Sequence, residues 1–282
     1  MTAKPLDGKA LAAALLAGLR TQTTGLKRPP VLAAVWMGDD ASAASYRKGL
    51  AKACSAAGAV LIERGLPADA GEKTLLAEIG RLNADAAVDG ILVQTPLPKD
   101  VALEAAASAL DPAKDAEGIG AVSLGRTLKG DEASAPCTAR SAFALVRASG
   151  MGLKGVEAVV VGRSETVGKP AALLLADAGC TVALCRSTTR DLAFHTRRAE
   201  VLVVAAGKAG LVRGDMLKPG AVVVDVGIHV VDGKVVGDVD AASAAGVAGW
   251  LAPVPGGVGP LTSAMIVERT VRSAARSALA RR

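Results

Sequence analysis

Short apolar runs alternate with longer segments of helical period along this 282-residue chain. Apolar runs of strand length, many of them rich in valine, lie at 31–36, 59–63, 90–94, 156–161, 181–185, 200–206, 221–226 and near 247–251. Segments with helical periodicity are predicted between them, at 9–20, 43–57, 72–83, 101–110, 139–149, 169–178 and 262–280. Strands that alternate with helices in this way are typical of parallel sheets. The pattern therefore predicts the α/β class.

The passage from strand to helix at 159–170, with the sequence VVVGRSETVGKP, carries the clearest candidate chemistry. Gly162 permits a sharp turn and a close approach of the backbone to a ligand. Pro170 suits the first turn of a helix, where its missing N–H is not needed. The helix that begins near Gly168 would present free N–H groups to a phosphate. A plain strand–helix turn without a ligand is the alternative interpretation, because the spacing is not G-x-G-x-x-G.

The next strand ends in Arg186 and Ser187, where an NAD-binding fold would place an acid for the ribose hydroxyls. No acid is present, and Arg186, Ser187 and Arg163 are suited to surround an additional phosphate. This favours NADP over NAD. The alternative is that both arginines are solvated loop charges, which is the usual fate of a single surface arginine.

Charge and composition narrow the possible partners. The net charge is +6, and arginines are concentrated near the C-terminus, while aromatic residues make up only 2% of the chain. A basic stripe interleaved with aromatics is absent, which argues against a nucleic-acid partner. Hydrophobic residues make up 51%, so an extensive aliphatic core is expected.

The cysteines and histidines do not have the spacing of a metal site, so no metal is expected. They are Cys54, Cys137, Cys180, Cys185, His195 and His229. Free thiols indicate a reducing compartment, so we expect a cytoplasmic protein. The apolar segment 11–19 has some likeness to a signal sequence, but Asp7 and Gly8 precede it and a first helix is the better interpretation. No apolar run approaches transmembrane length, so no membrane partner is expected.

Short motifs spread over nearly the whole chain occur in an order that resembles one family. They are LDGK (6–9), a Gly-Asp loop before a helix that carries Tyr46, GILVQ-x-PLP (90–98), P-x-KD-x-x-G (112–118), PCT (136–138), VGRS-x-x-VG-x-P (161–170), DVGI (225–228), GDVD (237–240) and PVPGGVGP-x-T (253–262). Together they resemble the methylenetetrahydrofolate dehydrogenase/cyclohydrolase family. The ordered set and the last motif are highly specific, whereas the shorter motifs alone are not.

The resemblance implies a fold of two α/β domains. Residues 1–121 and 262–282 would form an N-terminal folate-side catalytic domain, to which the C-terminal helix returns. Residues 139–261 would form a Rossmann-type NADP-binding domain, with 122–138 as connector. It further implies a homodimer that acts on tetrahydrofolate derivatives in one-carbon metabolism and purine biosynthesis.

The resemblance also implies site residues. Tyr46 matches the tyrosine that stacks on the folate ring, although a half-buried core tyrosine is the alternative. Gln94 matches a glutamine that touches folate, and Pro253, Gly256 and Gly257 match a substrate loop. Tyr46, Gln94 and Glu117 are the catalytic candidates. The cofactor candidates are Gly162, Arg163, Ser164, Val167, Gly168, Arg186, Ser187, Ala206, Gly207, Ile228 and Thr262.

The chain departs from the family pattern on the folate side. The family's catalytic lysine, four residues after the tyrosine, is Leu50 here, and an aspartate of the family is Glu117. Two family prolines are Ala41 and Ala139. Hydride transfer depends mainly on positioning and tolerates the loss of the lysine, whereas hydrolysis needs proton transfer.

We therefore expect an NADP-dependent methylenetetrahydrofolate dehydrogenase in which cyclohydrolase activity is doubtful. The alternatives are a fully bifunctional enzyme, a catalytically silent NADP-binding homologue, and a related two-domain oxidoreductase with another substrate.

Overall fold

The computed structural model describes residues 2–38 and 41–280. Asp39 and Asp40 of the predicted Gly-Asp loop, like Met1, Arg281 and Arg282, lie outside the described residues. The strands are β1 (Lys4–Pro5), β2 (Val31–Met37), β3 (Val60–Leu66), β4 (Gly90–Val93), β5 (Glu157–Val161), β6 (Thr181–Cys185), β7 (Val201–Val204), β8 (Val222–Asp225), β9 (His229–Val231), β10 (Lys234–Val236) and β11 (Trp250–Ala252).

Helices connect most of these strands. The α-helices are α1 (Gly8–Thr23), α2 (Ala41–Ala57), α3 (Gly71–Ala84), α4 (Leu103–Ala109), α5 (Ala121–Leu128), α6 (Cys137–Ala148), α7 (Gly168–Asp177), α8 (Leu192–Thr196), α9 (Ala241–Ala244) and α10 (Val258–Ala280). Short 3₁₀ turns lie at Glu132–Ser134 and Gly214–Met216.

The chain divides into two compact units. The six-strand unit comprises Met1–Leu11 and Leu124–Thr262, and the three-strand unit comprises Ala12–Ser123 and Ser263–Arg282. The six-strand unit has the parallel order β1-β11-β8-β7-β5-β6 and a separate antiparallel β9–β10 hairpin. The three-strand unit has the parallel order β3-β2-β4. The predicted α/β class with parallel sheets is confirmed.

Aliphatic side chains form both cores, as the composition requires. In the six-strand unit, every residue of β7 and β8 is buried, since helices cover both faces of a parallel sheet. In the three-strand unit, Leu75, Ile79 and Leu82 of α3 are fully buried in the cluster that includes Val35 and Ile91. The spacing of these α3 residues corresponds to one face of a helix.

The N-terminus differs from the expected domain boundaries. Residues 1–11, expected with the folate-side domain, belong to the six-strand unit, because β1 pairs with β11. The Leu6 N–H, for example, donates to the Leu251 carbonyl at 2.9 Å. A strand of two residues carries no periodicity, so this pairing had no sequence signal.

The segments that the sequence predicted least well have short or interrupted patterns. The expected connector 122–138 contains most of α5 and a 3₁₀ turn. The β9–β10 hairpin, α8 and α9 were also not predicted, and each spans five residues or fewer per element. Helix α10 begins at Val258 rather than Thr262, which is compatible with Pro260 because a first helical turn tolerates proline.

The C-terminal part of α10 belongs to the three-strand unit, as expected for a helix that returns to the first domain. Within that unit, the Ser273 hydroxyl donates to the Ala113 carbonyl at 2.7 Å, and the Arg269 guanidinium donates to the Ser123 hydroxyl at 3.3 Å. Among the described residues, no helix is both long enough and apolar enough to cross a bilayer.

Candidate functional site

Two glycines define the turn between β5 and α7. Gly162 has φ +125°, and a Cβ placed there would collide with the Ala205 carbonyl at the end of β7. A Cβ on Gly168 would collide with the Gly162 carbonyl. Only glycine therefore permits this close approach of strand, turn and helix, and the turn lies at the carboxyl edge of the parallel sheet where ligands bind in open α/β folds.

The free backbone donors of this turn lie in the loop before α7, and not at the start of the helix as the sequence predicted. The Ser164 hydroxyl accepts hydrogen bonds from the N–H groups of Val167, at 3.2 Å, and Gly168, at 3.3 Å. The Ser164 side chain thus closes the turn that leads into α7. Within the described residues, the N–H groups of 163–166 make no hydrogen bond, so the loop rather than the first helical turn offers donors to a phosphate.

Arg163 and Arg186 leave neighbouring strands at the same edge of the sheet. Val161 and Cys185 are register partners in β5 and β6, and the Gly162 N–H donates to the Cys185 carbonyl at 2.9 Å. Both arginines are exposed, as is Ser187, and neither arginine joins an ion pair within residues 2–38 and 41–280. Two free guanidinium groups and a hydroxyl beside this turn fit the additional phosphate of NADP.

The other cofactor candidates occupy two adjacent strand ends and one helix. Ala206 and Gly207 follow β7 and are exposed, and Ile228, after β8, is 66% exposed. Because β7 and β8 are parallel neighbours, these positions lie at the same edge as the glycine turn. Thr262 differs: it is buried in α10, and its hydroxyl donates to the Val258 carbonyl at 3.1 Å.

Helix α2 carries Tyr46, one of the folate-side candidates of the three-strand unit. Tyr46 is half-buried, and Leu50, one turn later, is completely buried. The helix starts at Ala41, one residue before the predicted cap Ser42. Lys48 and Lys52 are exposed and lie on other faces of the helix. Leu50 is therefore part of the apolar interior, and the side chains of Lys48 and Lys52 do not point to the face of the helix that carries it.

Gln94 and Glu117 lie near the end of β4. Gln94 is 5% exposed, and its backbone N–H donates to the Val35 carbonyl at 2.8 Å. A parallel bridge joins Ile91 to Asp115, which places Glu117 two residues beyond the paired position, beside the carboxyl end of β4. The structure thus brings these two candidate polar groups to one strand end.

Asp115 organises the loop that carries Glu117. Its carboxylate accepts hydrogen bonds from the N–H groups of Gly118 (2.8 Å), Ile119 (3.2 Å) and Gly120 (2.9 Å) and from the Ser123 hydroxyl (2.7 Å). Burial and the charge of Asp115 raise the pKa of Glu117 to about 7, with Arg269 opposing the rise. The Glu117 carboxyl therefore changes protonation state near neutral pH.

The stability of the protein should report this titration. A raised pKa means that Glu117 stabilises the fold fully below its unfolded pKa and that this contribution is lost as pH rises through about 7. Relative to wild type, Glu117→Gln should gain on the order of 2 kcal/mol between pH 5 and pH 8. Urea unfolding at the two pH values measures the difference. Glu104→Gln, at an exposed position of α4, is the control, and equal pH dependence of both variants would contradict the titration.

The substrate-loop candidates lie in the six-strand unit. Gly256 has φ +118°, and the Gly257 N–H donates to the Pro253 carbonyl at 2.7 Å. A Cβ on Gly8 would collide with the Gly257 carbonyl. The loop is thus held by a tight turn and by close packing of the start of α1. The positive φ explains the glycine at position 256, and the close packing explains the glycine at position 8.

A buried acidic cluster escaped the sequence analysis, although its members belong to the DVGI and GDVD motifs. Asp225 and Asp238 are 3% and 0% exposed, and the His229 Nε2–H donates to the Asp238 carboxylate at 2.7 Å. The signal available in the sequence was an aspartate directly after the buried run VVV of β8. Within the described residues, no three His, Cys, Asp or Glu side chains are arranged to hold a metal ion.

Family models match both parts of the chain. Residues 136–278 match "Tetrahydrofolate dehydrogenase/cyclohydrolase, NAD(P)-binding domain", and residues 6–117 match "Tetrahydrofolate dehydrogenase/cyclohydrolase, catalytic domain". The bifunctional protein FolD of Azoarcus sp. (strain BH72) is 45% identical over 288 residues, which cover 99% of each chain. The bifunctional protein FolD of Bordetella petrii is 46% identical over 280 residues, covering 98% of this chain and 95% of its own.

Solved structures agree with these matches. The bifunctional FolD methylenetetrahydrofolate dehydrogenase/cyclohydrolase of Campylobacter jejuni has a TM-score of 0.92 at 40% identity, covering 97% of this chain and 99% of that one. The Trypanosoma brucei FolD, solved with NADP cofactor and inhibitor, has a TM-score of 0.92 at 35% identity, covering 98% and 99%. Similarity of sequence and of fold therefore extends over both units of the chain.

Proposed function

Because the chain belongs to the tetrahydrofolate dehydrogenase/cyclohydrolase family, we propose that it oxidises methylenetetrahydrofolate to methenyltetrahydrofolate with NADP as cofactor, and that its cyclohydrolase activity is weak or absent. NADP supplies the acceptor for the hydride that leaves the folate methylene group. The observation that carries the proposal is the contrast between the cofactor candidates of the six-strand unit and the folate-side candidates of the three-strand unit. The nucleotide-side loops offer free donors and free arginines, whereas buried Leu50 replaces the family lysine.

On the nucleotide side, we assign binding to the loop at 163–166 and to the side chains of Arg163, Arg186 and Ser187. Free N–H groups in the turn suit the pyrophosphate, and the two guanidinium groups suit the additional phosphate. Ser164 acts through its hydrogen bonds to the N–H groups of Val167 and Gly168, which hold the turn in shape. The exposed Ala206, Gly207 and Ile228, with Thr262, complete the assigned cofactor residues.

On the folate side, we assign Tyr46, Gln94 and Glu117. The Tyr46 ring offers a flat face to a heterocycle, and the Gln94 amide offers both a donor and an acceptor. The Glu117 carboxyl, with its pKa near 7, can donate a hydrogen bond when protonated and accept one when ionised. Pro253, Gly256 and Gly257 are the assigned substrate loop. These groups position the methylene carbon, which is what hydride transfer chiefly requires.

A single spectrophotometric assay tests the dehydrogenase. Purified full-length protein with methylenetetrahydrofolate and NADP should produce absorbance at the NADPH band, and samples without folate or without protein should not. NADP binding without turnover would instead indicate a silent homologue. Turnover of another substrate but not of methylenetetrahydrofolate would indicate a different oxidoreductase.

Replacement of Tyr46 by alanine tests the folate assignment. Aromatic stacking contributes about 1 kcal/mol beyond the area that it buries, so the KM for methylenetetrahydrofolate should rise several-fold. The KM for NADP should not change, because the assigned cofactor residues belong to the other unit. Steady-state kinetics with each substrate varied in turn measure both values. A lower unfolding temperature with unchanged folate kinetics would show that Tyr46 is only a core residue.

We also propose a homodimer in the cytoplasm. Support for the compartment comes from the four cysteines, which are buried free thiols. Size-exclusion chromatography with light scattering tests the oligomeric state, and a mass of 28.1 kDa in solution would contradict the dimer.

A further inference from the structure

One buried carboxylate holds the loop that follows β7. The Asp238 carboxylate accepts hydrogen bonds from three consecutive N–H groups, those of Ala206 (2.5 Å), Gly207 (2.9 Å) and Lys208 (2.9 Å). It accepts a fourth from the Nε2–H of His229 at 2.7 Å. Since the side chain of Asp238 is completely buried, these four donors replace the water that would otherwise solvate the charge.

A second carboxylate holds Asp238 itself. The Asp225 carboxylate, at the end of β8, accepts hydrogen bonds from the N–H groups of Gly227 (3.0 Å), Asp238 (3.0 Å) and Val239 (2.8 Å). Burial raises the pKa of Asp225 to about 6, against the lowering by these three donors. Burying two adjacent carboxyl groups costs folding free energy, which indicates that the pair has a role beyond packing.

The glycines around the two carboxylates indicate a closely fitted cluster. A Cβ on Gly227 would collide with the Asp238 carboxyl group, and a Cβ on Gly237 would collide with the Asp225 carboxyl group. The loop after β7, the loop after β8 and the segment 237–239 therefore meet at these side chains. Two of the three are loops at the strand edge to which the cofactor residues Ala206, Gly207 and Ile228 are assigned.

We propose that Asp238 and His229 are positioning residues for NADP: together they join the loops after β7 and β8 into one preformed binding surface. The proposal rests on the assigned cofactor role of these loops. Asp238 fixes the backbone of Ala206 and Gly207. The side chain of His229, which directly follows Ile228 in the chain, donates to the same carboxylate and so anchors the loop after β8. Loops ordered in advance lose less conformational entropy when the ligand binds, so the affinity for NADP depends on this cluster.

The test measures NADP binding to full-length variants by titration calorimetry, together with the KM values for both substrates. Asp238→Asn leaves one acceptor oxygen in place of two and should weaken NADP binding at least tenfold, while the KM for folate changes less than twofold. Asp240→Asn is the matched control, since the Asp240 carboxylate contacts the Ser243 hydroxyl at 2.8 Å and none of the nucleotide loops. It should bind NADP as wild type does.

Variants at His229 distinguish positioning from folding, because this side chain is partly exposed. His229→Leu removes the donor and should weaken NADP several-fold, whereas His229→Gln keeps an N–H donor and should retain most of the affinity. Equal losses in both His229 variants, or wild-type affinity in Asp238→Asn with only a lower unfolding temperature, would overturn the proposal. If Asp238→Asn does not fold, the His229 pair decides.

The proposed role of the Asp238–His229 pair and the proposed reaction can be contradicted independently. Wild-type protein that binds NADP but does not oxidise methylenetetrahydrofolate contradicts the dehydrogenase and leaves the cluster testable by calorimetry. Wild-type protein that does not bind NADP overturns both.

Discussion

Methenyltetrahydrofolate supplied to the purified protein is expected to disappear no faster than in buffer alone, or at least 100-fold more slowly than the dehydrogenase turns over. Proton transfer by a positioned side chain typically contributes about 10²–10⁴-fold to a rate. Leu50, which is completely buried where the family has its lysine, can neither transfer a proton nor hydrogen-bond to an attacking water. The measurement follows the loss of the methenyl chromophore, with buffer blanks at each pH.

Two variants at position 50 test whether the missing lysine is the cause of the weak hydrolysis. Leu50→Lys should restore part of the hydrolysis, since burial lowers the pKa of a lysine and favours the neutral base. Leu50→Met preserves an apolar side chain of similar volume and should restore none. Hydrolysis in the wild type at a rate comparable to dehydrogenase turnover would contradict the prediction. Loss of that hydrolysis in Glu117→Gln would then identify Glu117, whose pKa is about 7, as the substitute.

Replacement of Arg186 by aspartate is expected to weaken NADP about 10- to 100-fold and to spare NAD. A charge-assisted hydrogen bond contributes about 1.5–3 kcal/mol, and the aspartate would add repulsion of the phosphate. Because Arg186 makes no ion pair among the described residues, the substitution breaks no internal salt bridge and its effect should be confined to the cofactor. Kinetics with NADP and NAD at equal folate concentration give the ratio directly.

The matched control for this prediction is Arg190→Asp, which makes the same charge change at an exposed arginine four residues later. It should alter the preference for NADP less than threefold. An equal effect of Arg186→Asp on both cofactors would contradict its assignment to the additional phosphate. An equal effect of both substitutions on NADP would indicate long-range attraction rather than a direct contact, and raising the salt concentration would then diminish both.

Local pattern was sufficient for much of the fold. The apolar runs predicted β2 to β8 and their parallel arrangement. The signature is continuous in β4, β7 and β8, where every residue is buried, and it is weaker in the partly exposed edge strands β3 and β6. The glycine turn was also predictable, because only glycine adopts φ +125° at Gly162 without strain. By contrast, β1 spans two residues, and its membership of the six-strand unit depends on hydrogen bonds to a strand almost 250 positions away.

The sequence by itself determined the α/β class, the place of the glycine turn, the order of the family's motifs and the leucine at position 50, because each of these is local. Only the tertiary structure decided that Leu50 is completely buried and that burial raises the pKa of Glu117 to about 7. It also decided that Asp238 holds the loop after β7 across about 30 residues of intervening chain. Burial and hydrogen bonding depend on what distant segments bring to a residue, and spacing along the chain does not encode that.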